Sequence, residues 1–278
     1  MNRAADLQPD QQPGCWDDHV PVYEEVFEPL SLAFARRALD RLGIRPGDRL
    51  IDVGAGCGGA ALAAAERGAQ VLAVDASLKM VARIRTRANR TNGRAGELQA
   101  VVMDGTSLAL PNAVFDAALS VFGVILFPDA VRGMQEIARV LKPGGRVAVV
   151  TWTETERYEL AARLIAAITE VRGPQAPPSV LPAQLRFRDE PVFRTLFTQA
   201  GLVVDDIVRS EQRWPLPSAR WLADHVTFAP GMAAMVHGLG ADRTPVLDAF
   251  VAALERDQGE GEVSLCAIAH AGIATKPR

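Results

Sequence analysis

"LIDVGAGCGG", residues 50–59, is the stretch on which the reading of this chain turns. Three apolar residues and one carboxylate run into a turn with four glycines. Such a run is a short buried strand entering a tight loop. Glycine there admits φ > 0 and lets a ligand approach the backbone closely. Gly54, Gly56 and Gly59 fit the dinucleotide fingerprint G-x-G-x-x-G. Asp52, Gly54, Gly56 and Gly58 fit a second spacing, D-x-G-x-G-x-G. The turn by itself does not choose between them.

The residues around it set the fold. Residues 58–67 read as an Ala-rich helix, "AQVLAVD" (69–75) as a strand, and 77–90 as a helix with Ser77 as N-cap and Leu78, Val81 and Ile84 on one side. "LQAVVMD" (98–104) and "FDAALSVF" (115–122) are strands, 130–141 is a helix stopped by "KPGG", and "RVAVVTW" (146–152) is a fifth strand. Apolar runs of this length alternating with helices are parallel strands covered on both faces. Two late strands are expected at 202–210 and 262–275. The predicted fold is α/β: a doubly wound, Rossmann-like, mostly parallel seven-stranded sheet. Its ligand crevice lies at the C-terminal ends of the central strands.

Residues 1–14 are polar and Gln/Pro-rich and read as a disordered tail, and 15–278 as a single domain. Within it, 15–45 is an N-terminal helical cap with breaks at Pro21 and Pro29, and 211–260 is a helical insert placed to act as a lid.

Composition narrows the function. The 278 residues are 49% hydrophobic and 23% charged, with a formal net charge of −3. That suits a chain with a full core and argues against a nucleic-acid partner. Cys15, Cys57 and Cys266 are widely separated, so neither a metal site nor a disulfide framework is expected, and a reducing cytoplasm is the simplest setting. No signal-peptide pattern and no run of about 18–20 apolar residues is present, so no membrane span is expected.

Two acids sit at strand tips beyond the turn. Asp75 ends the second strand and Asp104, in "VMDG", ends the third. A carboxylate at 75 suits ribose hydroxyls in either cofactor family. "LPNAVFDAALSVFGVILFPD" (110–129) brings a strand to the pocket, and "LKPGGRVAVVTW" (141–152) is a helix stop, turn and strand at set spacing. This ordered set resembles class I S-adenosyl-L-methionine (SAM)-dependent methyltransferases, especially the branch with the ubiquinone and menaquinone methyltransferases. "WDDHVPVYEEVFEPLS" (16–31) resembles that branch's N-terminal cap.

The resemblance implies SAM as cofactor and assigns roles. Gly54, Ala55 and Gly56 would contact the methionine moiety, and Asp52 would orient the turn or face the amino group. Asp75 would hold ribose, with Ala76 and Met80 lining the adenosine site. Asp104 and Gly105 would hold adenine, Gly105 leaving room for the ring. Ser120 and Val121 would lie beside the methionine backbone, and Tyr23 would reach the carboxylate. Cys57 stands where the family often has Thr; it reads as packing, with a reactive thiolate as the alternative. Arg83, Arg85, Arg87, Arg90 and Arg94 read as a solvated basic face.

The expected acceptor is a small, partly hydrophobic molecule methylated on O, N or C, such as a secondary metabolite or quinone. His19 and His225 are the candidate catalytic bases, and a mechanism without a base is equally open. The acceptor wall is expected from the cap, residues 122–127, Trp152 and the insert. The protein is expected to act as a monomer or homodimer. An NAD(P)-dependent oxidoreductase and a SAM-binding protein without methyl transfer are the alternatives.

Overall fold

The structure, a computed structural model, describes residues 7–90, 96–176 and 178–278. Seven strands form one sheet: β1 (Arg49–Val53), β2 (Gln70–Asp75), β3 (Leu98–Val102), β4 (Phe115–Val121), β5 (Leu141–Trp152), β6 (Val203–Leu216) and β7 (Val263–Thr275). Their spatial order is β3-β2-β1-β4-β5-β7-β6. β1 to β5 are parallel, and β7 is antiparallel to both β5 and β6. The predicted doubly wound, mostly parallel sheet is the one formed. Its winding reverses between β1 and β4, where open α/β sheets bind ligands.

Helices α1 (Pro13–Trp16), α2 (Val20–Val22) and α3 (Glu28–Leu42) form the cap, with a π-turn over Tyr23–Phe27 joining the last two. Pro21 and Pro29 do not kink a long helix. Each sits in a first turn, where its missing N–H leaves no bond unmade. α3 buries Leu30, Phe34, Ala38 and Leu42 against the sheet. α4 (Gly59–Ala65), α5 (Leu78–Arg90) and α6 (Ala130–Val140) complete the parallel half. Ser77 caps α5 as expected, its hydroxyl accepting from the Met80 amide at 3.1 Å. α7 (Glu159–Arg172) and α8 (Glu190–Thr198) follow, and α9 (Ala219–Asp224), α10 (Pro230–His237) and α11 (Arg243–Gln258) make up the insert.

Three bounds differ from the sequence reading. β5 starts at Leu141 rather than 146, because Leu141 pairs with Phe115 ahead of a bulge at the glycines. β6 runs to Leu216 rather than 210, because every residue from Ile207 to Leu216 has a β7 partner. The β6–β7 hairpin therefore extends beyond Trp152, the end of β5, which pairs with Ala269. The expected tail is also shorter. Residues 1–6 lie outside the described residues, but Gln8 bonds the Leu181 carbonyl and the Ala183 amide, and Asp10 accepts from the Gly231 amide at the start of α10. Polar side chains that find backbone partners in the loop before α8 and in the insert order a stretch that composition alone reads as disordered.

The rear face of β7 is packed tightly. A Cβ at Gly272 would lie 2.5 Å from the ring of Phe197, itself fully buried in α8. Gly272→Ala is therefore expected to destabilise the protein by about 1–3 kcal/mol, read as a lowered urea midpoint. Gly14→Ala, with nothing within 4 Å of its Cβ, serves as the neutral control.

Candidate active site

The glycine turn leaves β1 and reaches α4 through three positive φ angles: 74° at Gly54, 55° at Gly56 and 84° at Gly58. Gly59, the third glycine of the dinucleotide spacing, is not among them. It begins α4, and its amide donates to Glu28 Oε1 from the cap at 2.9 Å. A Cβ there would lie 2.8 Å from the Glu28 carboxyl carbon, so glycine is required for that approach. Arg87 Nη1 bonds both Glu28 oxygens at 2.8 and 2.7 Å and the Cys57 carbonyl at 2.8 Å. Burial raises the Glu28 pKa, while Arg87 and the Gly59 amide pull it back. A dinucleotide would place its pyrophosphate at this helix start. A carboxylate of the protein already stands there, which disfavours a second anion and decides between the two glycine spacings.

Asp52, on β1, is buried at 1% exposure, and its Oδ2 has no hydrogen-bond partner among the described residues. Burial, followed by the neighbouring Asp75 charge, pushes its pKa up to about 7. Asp75, at the tip of β2, accepts from the Gly56 amide at 2.8 Å and the Ser77 amide at 2.9 Å. Burial lifts its pKa to about 6 against those amide bonds. Each Asp75 oxygen keeps a lone pair for a further donor. Ala76 beside it is exposed. Asp104 is exposed just past β3, with Oδ1 held by the Thr106 amide and hydroxyl, both at 2.8 Å.

Tyr23, on the π-turn, reaches the glycine turn. Its hydroxyl lies 3.1 Å from where a Gly56 Cβ would be. Burial drives its pKa upward, so it is a neutral phenol. Tyr23, Glu28, Ser31, Asp52, Gly54 and Val121 line a small cavity of about 20 Å³, room for about one water. Glu28 and Ser31 were missed in the sequence. The signal was there: Glu24 and Glu28 on the cap match Arg83 and Arg87 on α5 at the same four-residue spacing.

Other expected positions have structural duties. Ser120 donates to the Val53 carbonyl at 2.6 Å and accepts from the Val124 amide at 2.9 Å, tying β1 to the loop after β4. Met80 is 2% exposed and packs on Cys57, with sulfurs 3.4 Å apart. It faces core rather than an open adenosine wall. Cys57 is fully buried, and burial pushes its thiol pKa upward, which favours the packing role over a reactive thiolate. The room over Gly105 is held by the Phe127 ring, 2.4 Å from a would-be Cβ. The basic run is not a free solvated face. Arg83 binds Glu24 at 2.6 and 2.8 Å, Arg87 binds Glu28, and Arg85 bonds the Ala100 carbonyl. Arg94 lies outside the described residues.

Aromatic side chains from three of the four segments expected to wall the acceptor, with Trp152, meet in one cluster. Phe122, in the left-handed region at φ 55°, stacks on Trp152 at 4.1 Å, and Trp152 stacks on Tyr158 at 4.5 Å. Phe27 of the cap lies 6.0 Å from Phe122 and stacks on Phe228 of the insert at 5.3 Å. An aromatic residue at positive φ is uncommon. His19 Nδ1 is 2.8 Å from the Thr227 carbonyl, joining cap to insert. His225 Nδ1 is 2.7 Å from the Trp221 carbonyl, and its ring stacks on Trp221. A carbonyl only accepts, so in each ring Nδ1 carries a proton. His237 ends α10 and is exposed. Among the described residues no group of three or more His, Cys, Asp and Glu side chains is arranged to hold a metal, and no helix is long and apolar enough to cross a membrane.

Strand order, glycine turn and strand-tip acids together define the class I SAM-dependent methyltransferase fold. Residues 51–149 match the methyltransferase domain family. An uncharacterized protein of Mycobacterium tuberculosis is 33% identical over 59% of this chain and 57% of its own length. Demethylmenaquinone methyltransferase of Beutenbergia cavernae is 34% identical over 53% of this chain and 60% of its own length. The chain thus spans less than two thirds of the curated relatives it matches. Among solved structures, the [4+2]-cyclase SpnF superposes with a TM-score of 0.59 at 22% identity, covering 98% of this chain and 97% of that one. That likeness concerns the fold.

Asp52 links the site to stability. Its folded-state pKa of about 7 stands above the ordinary 3.8, so the folded protein favours the protonated form. The resulting stabilisation is complete below the unfolded pKa and is lost as pH rises through about 7, a swing on the order of a few kcal/mol. Without nucleoside, Asp52→Asn should therefore gain on the natural protein in urea unfolding between pH 5 and pH 8. A difference that stays constant across that range would contradict the assignment.

Proposed function

We propose that the chain binds SAM across the C-terminal ends of β1 to β4 and directs its methyl group to O, N or C of a small, partly apolar acceptor. The observation that carries this is the partnerless, buried Asp52 Oδ2 beside the glycine turn. A buried carboxylate oxygen without a donor is unfavourable until a cation meets it. SAM offers an ammonium there, whereas a dinucleotide offers a pyrophosphate, against the Glu28 carboxylate. The residues fit SAM in charge. In volume they fit once Tyr23 yields, because the cavity holds only about one water.

When bound, SAM supplies an electrophilic methyl on a cationic sulfur. The protein's task is to hold the acceptor in line and exclude water. Asp75 and Asp104 receive adenosine through the lone pairs left after their amide bonds. The Gly54–Ala55–Gly56 backbone admits the amino-acid tail, and Val121 lies beside it on the cavity wall. Phe122 and Trp152 carry the apolar wall away from the β4 tip. His19 and His225, each with Nδ1 on a backbone carbonyl, are the candidate bases, through Nε2.

The test begins with calorimetry. The natural chain should bind SAM and not NADH, and the Asp75→Ala/Asp104→Ala double variant should lose at least about tenfold in SAM affinity. Undiminished binding by the double variant would overturn the reading. Labelled SAM then separates methyl transfer from a reaction that leaves the methyl in place. For the base, His19→Ala and His225→Ala are read for turnover and SAM affinity separately. A base role predicts about a 100-fold or greater fall in turnover with affinity kept, and turnover surviving in both variants removes the histidine base from the mechanism.

A further inference from the structure

The β6–β7 hairpin runs past the end of β5, and Gln212 on it and Tyr158, just before α7, are two polar groups that the proposed chemistry has not used. Ala267 pairs with Gln212 on β6 and, through an isolated antiparallel bridge, with Tyr158 on its other side. Residues in lateral register across a sheet point to the same face, so Tyr158 and Gln212 flank the Ala267 methyl. Tyr158 Oη and Gln212 Nε2 are both buried, and neither has a hydrogen-bond partner among the described residues. Buried donors are satisfied in nearly all native structures, so two orphans on either side of one alanine call for an explanation.

Their surroundings supply it. Tyr158 stacks on Trp152, which leads back to the β4 tip. Two residues beyond Gln212 on the same face, Trp214 packs edge-on against Phe228 at 6.2 Å, and Phe228 belongs to the insert. Rings thus border a floor of small side chains, and that border carries two unpaired donors, Tyr158 Oη–H and Gln212 Nε2–H, with the Oη lone pairs also free. An apolar border with two free donors suits a flat molecule that bears an oxygen able to accept from them.

We propose that Tyr158 and Gln212 are the specificity-determining pair of the acceptor site, their Oη–H and Nε2–H groups receiving a carbonyl or hydroxyl oxygen of a planar acceptor held over Ala267. This rests on the methyltransferase reading for the word acceptor, but its test does not need turnover. Equilibrium binding of 2-naphthol, 1-tetralone and naphthalene is measured on the full chain with and without S-adenosylhomocysteine. Naphthalene lacks the oxygen, and the first two distinguish hydroxyl from carbonyl. At least one oxygen-bearing probe should bind about tenfold more tightly than naphthalene, and the preference should collapse toward one in Tyr158→Phe and Gln212→Leu. Both variants should keep or raise Tm, because each removes a buried unpaired donor; a scaffold role predicts a fall. Equal binding of the three probes, no binding, or a preference unchanged in both variants overturns the proposal. Failure to bind S-adenosylhomocysteine alone counts against the proposed function, not against this pair, since the probes are also read without it.

Discussion

The Glu28 carboxylate is the contact on which the front of the molecule depends. It comes from the cap, ends at the first amide of α4 and meets Arg87 of α5. Three segments distant in sequence are fixed at one point. Removing one partner of such a buried set leaves an uncompensated charge, which is far more damaging than the net value of the set suggests. Glu24 with Arg83, and Asp17 with the Ser77 hydroxyl and Lys79 amide, repeat the theme toward the solvent side. The cap is therefore held by acids on its own face against cations and amides of α5 and α4, while its apolar side packs on the sheet. The same contact explains the specificity of the turn. The anion-seeking end of α4 is satisfied internally, and what remains open to a ligand is the partnerless oxygen of Asp52.

On this frame the crevice divides in two by chemistry. Toward β2 and β3 it is acidic and partly open, with Asp75, Asp104 and the exposed Ala76 at successive strand tips. Toward β5 and β7 it is aromatic and closed, with Phe122, Trp152 and Tyr158 stacked in series. A cationic nucleoside suits the first half and an apolar acceptor the second. The boundary is the β4 tip, where Ser120 fixes the loop and Phe122 takes a left-handed conformation. That geometry turns the Phe122 ring into the aromatic half instead of following Val121 along the strand.

Much of this was legible in the sequence because parallel strands have a simple signature. A strand buried on both faces is a short apolar run, and a glycine turn after an acid marks the tip of the first one. The β6 extension was not legible. Residues 211–216 alternate Glu, Gln, Arg, Trp, Pro and Leu, and only pairing with β7 makes them a strand. Composition also misjudged residues 7–14, where Gln8 and Asp10 gain order from partners over 170 residues away. The arginines of α5 looked like a solvated face because one helix shows charge but not what packs against it. The matching four-residue spacings of Glu24/Glu28 and Arg83/Arg87 held the answer, and it could be read only after topology had placed the two helices together.

The unsatisfied groups show where selection for stability has yielded. Asp52 is ionisable, fully enclosed and short of a donor, and a neutral residue there would suit the folded state better at neutral pH. Tyr158 and Gln212 bury donors that a Phe and a Leu would not, and Phe122 holds a backbone conformation that favours glycine. Each feature opposes folding by an amount on the order of 1–3 kcal/mol. Asp52, Phe122, Tyr158 and Gln212 lie along one path, from the first glycine of the turn across the β4 tip to the projecting hairpin, whereas Thr151 Oγ1 and His270 Nδ1, a register pair on the other face of the sheet, are orphaned away from it. A core as well packed as this one could replace any of them with an apolar residue, so their shared location is best explained by a ligand that satisfies them in turn: a cation at Asp52, a flat ring beside Phe122 and Trp152, and an oxygen between Tyr158 and Gln212.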